Sequence, residues 1–371
     1  MNPPRLPRSL VLPLLVALLA LSAPPSARAE ARGHARATFH RRAVATGLSF
    51  PLTFTFSKAG RIYYGEKSSG EIHLLDPDSH DDRVFFTIPK VVDAGEQGLL
   101  GLALDPDFPS QPFVYAYATR DLDGTPYDQI LRIRYANGHG KDPHVIFSSK
   151  TRSGAYHDGG RILFGPDGFL YAVQGDGHSS KLAQDKSNTA GKVIRMTRGG
   201  KPAPGNPFGQ SRIWSYGHRN SFGMAFDPVT GRLWETENGP DCNDELNRIV
   251  KGGNFGWGPK ETCDGQAPQN TNNSGPTPRI LPKRFYTPTI APTGTVFCHG
   301  CRLGSASKDR LFFGAFNTSQ IRRVTLTSNR LGVASQEVVF TNDHGILSME
   351  RGTNGGIYFS DSGGIFRLVL A

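Results

Sequence analysis

The sequence predicts an all-β chain, a six-bladed β-propeller of four-stranded blades. Three observations carry that expectation. Gly and Pro, at 44 and 27, make up nearly a fifth of the 371 residues, where ordinary usage is nearer ~12%. Both disfavour helix interiors, which argues against a long helical bundle. A hairpin phrase recurs six times along the chain, at a spacing that suits one blade and a loop. Within each copy the apolar residues alternate with a period of two, the pattern of a strand rather than a helix. Aromatic residues at 10% and a formal charge of +10 place the chain among globular rather than disordered sequences.

The first 29 residues read as a secretory leader. Arg5 and Arg8 give a positive start, residues 10–21 form an apolar run broken only by Pro13, and Ala27-Arg28-Ala29 supplies small residues around a cleavage point. That run is shorter than the ~20 apolar residues needed to span a bilayer, and no later stretch is long enough. Residues 1–29 are therefore expected to be a signal peptide and residues 30–371 a single propeller domain, secreted or periplasmic. Losing Arg5, Arg8 and Arg28 takes the charge from +10 to +7. The remaining basic residues are dispersed, so nucleic acid is not an expected partner.

Residues 37–45 read as a strand ahead of the first repeat. The six copies follow. The first spans residues 52–64 with its turn at Gly60; the second spans 102–117 around Asp105-Pro106. The third spans 162–171 with Gly168, and the fourth 224–234 with Gly231. The fifth is degenerate, around 311–314 and 321–324; the sixth spans 347–358 with Gly355. Residues 366–370 end the chain as a further strand. That strand and residues 37–45 are expected to share the last blade and close the ring, which would protect its sheet edges.

The four cysteines, Cys242, Cys263, Cys298 and Cys301, are an even count in an exported chain and suggest disulfides, with three pairings possible. Cys298 and Cys301 lack a second ligand pair at zinc spacing, and Arg302 stands where haem attachment would need His.

Propeller chemistry usually sits in loops on one face, so polar phrases that interrupt the strands are the candidates. They are Gly95 to Gly101, Tyr156 to Arg161, Tyr216 to Asn220, Glu237 to Asn247, and Ile290 to Gly294. Each alone has a structural explanation as a turn, a cap or an ion pair. Each also has a chemical one. Histidine suits a general base near neutral pH. Arg219-Asn220 offers donors for carbonyl or carboxylate oxygens. The oxygen-rich Asn238-Gly239-Pro240 turn suits Ca²⁺, although the EF-hand spacing is absent.

Taken together, four phrases resemble the soluble glucose/sorbosone dehydrogenase family, which are aldose sugar dehydrogenases dependent on pyrroloquinoline quinone (PQQ). The phrases are Gly95 to Phe108, His157 to Arg161 with Phe164 to Gly168, Tyr216 to Asn220, and Asn238 to Asn247 with Gly253 to Trp257. They occur in the family's order and spacing, over nearly all of residues 40–370. The resemblance implies a six-bladed propeller. It implies that His157 is the base taking the proton from an aldose anomeric hydroxyl, while hydride passes from C1 to PQQ and a lactone forms. Arg219 and Asn220 match residues touching the quinone carbonyls. Glu96 stands where the family often has a Gln facing sugar or cofactor. The Gly239 and Pro240 carbonyls, the Glu245 carboxylate and the Phe255 carbonyl match a Ca²⁺ site. A small-molecule sugar is the implied partner, with the electron acceptor unassigned.

The chain departs from the family where three cations face the PQQ carboxylates. Asn317, Gly345 and Leu347 occupy those positions, and Arg302, Arg322, Arg323 and His344 are the nearby substitutes in sequence. That departure keeps two alternatives in view: a non-catalytic propeller binding carbohydrate or protein, and a Ca²⁺-dependent sugar lactonase.

Overall fold

A computed structural model describes residues 39–151, 154–259 and 275–371. Residues 1–29, expected to be a leader, and Cys263 lie outside these residues. The described strands form six antiparallel four-stranded sheets, as the repeats predict. The innermost strands are Pro51–Phe56, Leu99–Leu104, Ile162–Phe164, Ser221–Phe226, Pro292–Phe297 and Ser348–Arg351. Each packs beside the next, and the sixth packs beside the first, which closes a ring.

Chain order explains the closure. Phe39–Thr46, the first described strand, pairs with Gly364–Leu370, the last, from Phe39 opposite Leu370 to Thr46 opposite Gly364. It becomes the outer strand of blade six, so the last blade is sealed by the first strand. The fifth copy is degenerate because its phrase begins one strand late: Leu311–Ala315 is the second strand of blade five. The Ile290 to Gly294 phrase is correspondingly corrected. Pro292–Phe297 is that blade's innermost strand, so only the start of the phrase is loop.

The core is divided among the blade interfaces. Six apolar clusters each draw on two neighbouring blades. Tyr63 and Phe85 of blade one meet Leu102 and Val114 of blade two; Tyr64 of blade one meets Tyr358 and Ile365 of blade six. Middle strands have neighbours on both faces, which is why Leu170–Gln174 and Leu311–Ala315 are buried at every position. The outer Phe39–Thr46 strand has only one buried residue. Cys298 and Cys301 form a disulfide at the end of the innermost strand of blade five.

This arrangement gathers the loops that enter each innermost strand at one mouth of the central channel. Below that mouth Arg161 crosses the axis. Its Nε donates to the Phe222 carbonyl of blade four at 3.1 Å and its Nη2 to Ser348 Oγ of blade six at 3.1 Å.

Candidate active site

The loops at that mouth enclose a cavity of about 460 Å³, within the ~300–1,000 Å³ typical of small-molecule sites. Glu96, His157, Arg219, Asn220, Gly239 and Pro240 all line it, so six of the eight candidate residues meet in one place although they come from three blades. Glu245 and Phe255 do not line it. Glu245 lies in the buried strand Asp244–Arg248, opposite Glu237, and accepts from Asn247 Nδ2 at 2.9 Å. Phe255 is stacked on His218 with ring centres 4.7 Å apart.

His157 sits at the entry to blade three, only 6% exposed rather than open to solvent as its small neighbours suggest. Its φ of 65° lies in the left-handed region, uncommon for a residue with a side chain. Three contacts hold it there. Its backbone N–H donates to Glu96 Oε2 at 2.8 Å, its carbonyl accepts from Gly177 N at 3.1 Å, and its ring Nδ1 meets Asp176 Oδ1 at 2.6 Å. A Cβ at Gly175 would lie 2.1 Å from that carbonyl, so only glycine permits the loop to close this tightly.

Asp176 was not among the sequence candidates, because Gly175-Asp176-Gly177 reads as an ordinary turn. Its carboxylate accepts from Trp257 Nε1 at 2.7 Å and from the His178 N–H at 2.9 Å. Both oxygens thus already receive N–H donors, and a carboxylate offers only acceptors. Nδ1 is therefore the donor to Asp176, and in the neutral imidazole that tautomer leaves the lone pair on Nε2.

Glu96 Oε2 also accepts from Asn220 Nδ2 at 2.9 Å, so one carboxylate braces His157 and the Arg219-Asn220 loop together. Arg219 Nη1 donates to the Asn238 and Gly239 carbonyls at 3.0 and 2.8 Å, and its guanidinium lies 5.4 Å from the Trp257 ring. The turn carrying Gly239 is itself fixed by Asp244, whose carboxylate accepts from the Gly239, Ile290 and Ala291 N–H groups at 2.8, 2.6 and 2.8 Å. Burial pushes the Asp244 pKa up, against the pull of those donors. Among the described residues, Asn220 Oδ1 and Asn238 Oδ1 are buried acceptors with no donor. An unmet buried acceptor costs about 1–3 kcal/mol, which a ligand donor would recover.

Behind the cavity, His218 is 1% exposed. Its Nδ1 lies 3.0 Å from Glu237 Oε2 and 3.3 Å from Glu235 Oε2, while Glu237 Oε1 accepts the Arg219 N–H at 2.6 Å. Burial opposes a charge here, but the two carboxylates outweigh it and hold the His218 pKa up at about 10. The folded chain thus keeps a proton that an unfolded His releases above about 6.5. The stabilisation is complete below that pH and is lost as pH rises through about 10. Lys192, whose pKa burial lowers to about 7, contributes the opposite slope. The diagnostic quantity is therefore a difference: the stability gap between wild type and His218→Gln should shrink from pH 7 to pH 10 in urea unfolding. A gap independent of pH would contradict this account of His218.

The cavity walls correct the sequence expectation about cations. Asn317 and Leu347 line it as neutral residues, whereas Gly345, Arg302, Arg322, Arg323 and His344 do not line it. Arg323 is instead paired with Glu337 at 2.6 Å, and Arg322 donates to Gln320 at 2.8 Å. Among the described residues, the lysine or arginine that lines the cavity besides Arg219 is Lys67 of blade one. Its signal is hidden because Glu66-Lys67-Ser68-Ser69-Gly70 reads as a surface hairpin turn.

Comparison with known proteins places this geometry. A family model described as glucose/sorbosone dehydrogenase matches residues 48–369. Quinoprotein glucose dehydrogenase B of Acinetobacter calcoaceticus is 31% identical over 264 residues, covering 63% of this chain and 54% of that protein. Aldose sugar dehydrogenase YliI of Escherichia coli is 34% identical over 179 residues, 46% of this chain and 48% of its own. The chain thus aligns with about half the length of these two relatives. The PQQ-bound aldose sugar dehydrogenase of Streptomyces coelicolor superposes with a TM-score of 0.77 at 29% identity, over 90% of this chain and 99% of that one.

Proposed function

The chain belongs to the glucose/sorbosone dehydrogenase family, and on that premise we propose that it is an exported, PQQ-dependent dehydrogenase that oxidises an aldose at C1 to the lactone. The observation that carries the proposal is the His157–Asp176 pair: a buried imidazole with Nδ1 held at 2.6 Å by a carboxylate, on the wall of a cavity shared with Arg219 and Asn220.

The cavity suits the cofactor. Phe50, Leu52, Phe222, Phe316 and Leu347 give apolar walls for a flat ring system, and Arg219 and Lys67 give positive charge for an anionic ligand. Asn220 Oδ1 and Asn238 Oδ1 are acceptors awaiting a donor. When bound, PQQ supplies the two-electron acceptor for the hydride leaving the sugar. The chain's own tasks are positional and electrostatic. His157 Nε2 takes the proton of the anomeric hydroxyl, and Asp176 stabilises the imidazolium that results. Arg219 and Asn220 present donors to the quinone oxygens, where negative charge grows as the sugar is oxidised. Glu96 and Glu237 fix the two loops that carry these groups.

Calcium is part of the proposal. The Gly239 and Pro240 carbonyls, the Glu245 carboxylate and the Phe255 carbonyl are hard oxygen donors of the kind Ca²⁺ takes, and would hold the ion. The Gly239 carbonyl already accepts from Arg219, so an ion there must share that oxygen with the guanidinium. The neutral Asn317 and Leu347 favour a binding propeller without chemistry; the oriented His157–Asp176 pair favours the enzyme. Purified protein given PQQ and Ca²⁺ should reduce a redox dye only when an aldose is added, and should yield the lactone. Sugar binding without dye reduction, or lactone hydrolysis without PQQ, would replace the proposal with one of its alternatives.

A further inference from the structure

We propose that Lys67 receives carboxylate charge of the cofactor, from blade one, in place of cations absent from blades five and six; this rests on the quinoprotein reading above. PQQ carries three carboxylates, and a cavity that holds it must supply positive charge. Among the described lining residues, Arg219 and Lys67 are the lysine or arginine side chains present. Arg219 is at the Asn238-Gly239 turn, where its Nη1 serves two carbonyls. Without Lys67 the lining from blades one, five and six would hold no lysine or arginine, since Leu52, Phe316, Asn317 and Leu347 are neutral.

Lys67 is built into this position rather than lying on the surface by default. Its backbone N–H donates to the Phe50 carbonyl at 3.2 Å, and its carbonyl accepts from Leu99 N at 2.9 Å. The second of these bonds ties blade one to blade two. Its aliphatic stem passes directly over Gly98, where a Cβ would lie 2.6 Å from Lys67 Cγ. Gly98 has a φ of 151°, so a side chain there would be strained as well as obstructed. The ammonium donates to the Asp93 carbonyl at 3.0 Å. An ammonium has three donors, which leaves two for ligand oxygens. Glu96 is the nearby acid on the cavity wall, but its Oε2 already accepts from His157 and Asn220. Burial lowers the Lys67 pKa, and Asp93, Glu96 and Asp158 oppose that effect. A carboxylate ligand would add to the same opposition and replace the hydration that the cavity removes.

The test is PQQ affinity, measured by calorimetry on the full chain with Ca²⁺, for wild type, Lys67→Met and Lys67→Arg. Loss of a charge-assisted contact predicts a Kd about 10- to 100-fold weaker for Lys67→Met. Lys67→Arg should recover affinity to within about threefold, since it restores the charge. The slope of log Kd against log salt should also flatten in Lys67→Met but not in Lys67→Arg. An unchanged thermal midpoint shows that the Met variant folds. Wild-type PQQ affinity in Lys67→Met overturns the inference, and a raised aldose KM in the same variant would then assign Lys67 to the sugar. A wild-type chain that binds no PQQ overturns the quinoprotein reading itself, and this inference with it.

Discussion

Replacing His157 by Asn is expected to lower kcat about 10²- to 10⁴-fold, the contribution usual for a positioned general base. Asn is the informative substitution because the backbone there has a φ of 65°, and Asn tolerates the left-handed region better than other non-glycine residues. The contact with Glu96 runs through the backbone N–H, so it survives the change. PQQ affinity should therefore stay within about threefold of wild type. Asp176→Asn should give a loss on the same scale, since an amide facing Nδ1 favours the tautomer whose Nε2 carries the proton. Steady-state kinetics and PQQ titration on both variants check this. A His157→Asn enzyme retaining more than a tenth of wild-type kcat would remove His157 from the chemistry.

The second large effect is expected at Arg219. Arg219→Met should cost about 10²- to 10³-fold in kcat, as for loss of an electrostatic donor at a developing oxyanion. The guanidinium has two separable duties. It carries the charge, and it holds the Asn238 and Gly239 carbonyls while lying over Trp257. Arg219→Lys keeps the charge but not the planar fork. It should recover part of the rate while leaving the Asn238-Gly239-Pro240 turn less well held. Comparing the two variants separates charge from geometry. If Met and Lys lose kcat equally, the charge is not the operative property. If Met loses less than tenfold, Arg219 does not stabilise the transition state.

Much of this molecule is legible in its sequence because a propeller repeats itself. The hairpin turns at Gly60, Gly168, Gly231 and Gly355 all fall between paired strands of their blades. The closing pair, Phe39–Thr46 against Gly364–Leu370, is readable because both ends of the chain show strands without partners. The His157, Arg219 and Asn220 phrases stand out because polar residues interrupt apolar alternation. What is not legible depends on closure of the ring. Asp176 and Trp257 are 81 positions apart, yet they meet at 2.7 Å. No local pattern marks Asp176 as the partner of His157. Lys67 looks like a turn residue until blade two brings Gly98 beneath its stem. The start of blade five is obscured for a different reason. Pro292-Thr293-Gly294 has the composition of a loop but lies in a fully buried strand, where Gly294 is closely approached by the Met349 backbone of blade six.

The proposed function requires a cavity that holds a quinone positioned to accept hydride from a sugar whose proton goes to His157. The most direct measurement is an anaerobic titration of the PQQ-loaded protein with aldose, followed by the absorbance of the bound quinone. The account predicts stoichiometric reduction, one sugar oxidised per bound PQQ, in wild type and no reduction on the same timescale in His157→Asn. Bound quinone that stays oxidised in wild type across a broad panel of aldoses would contradict it.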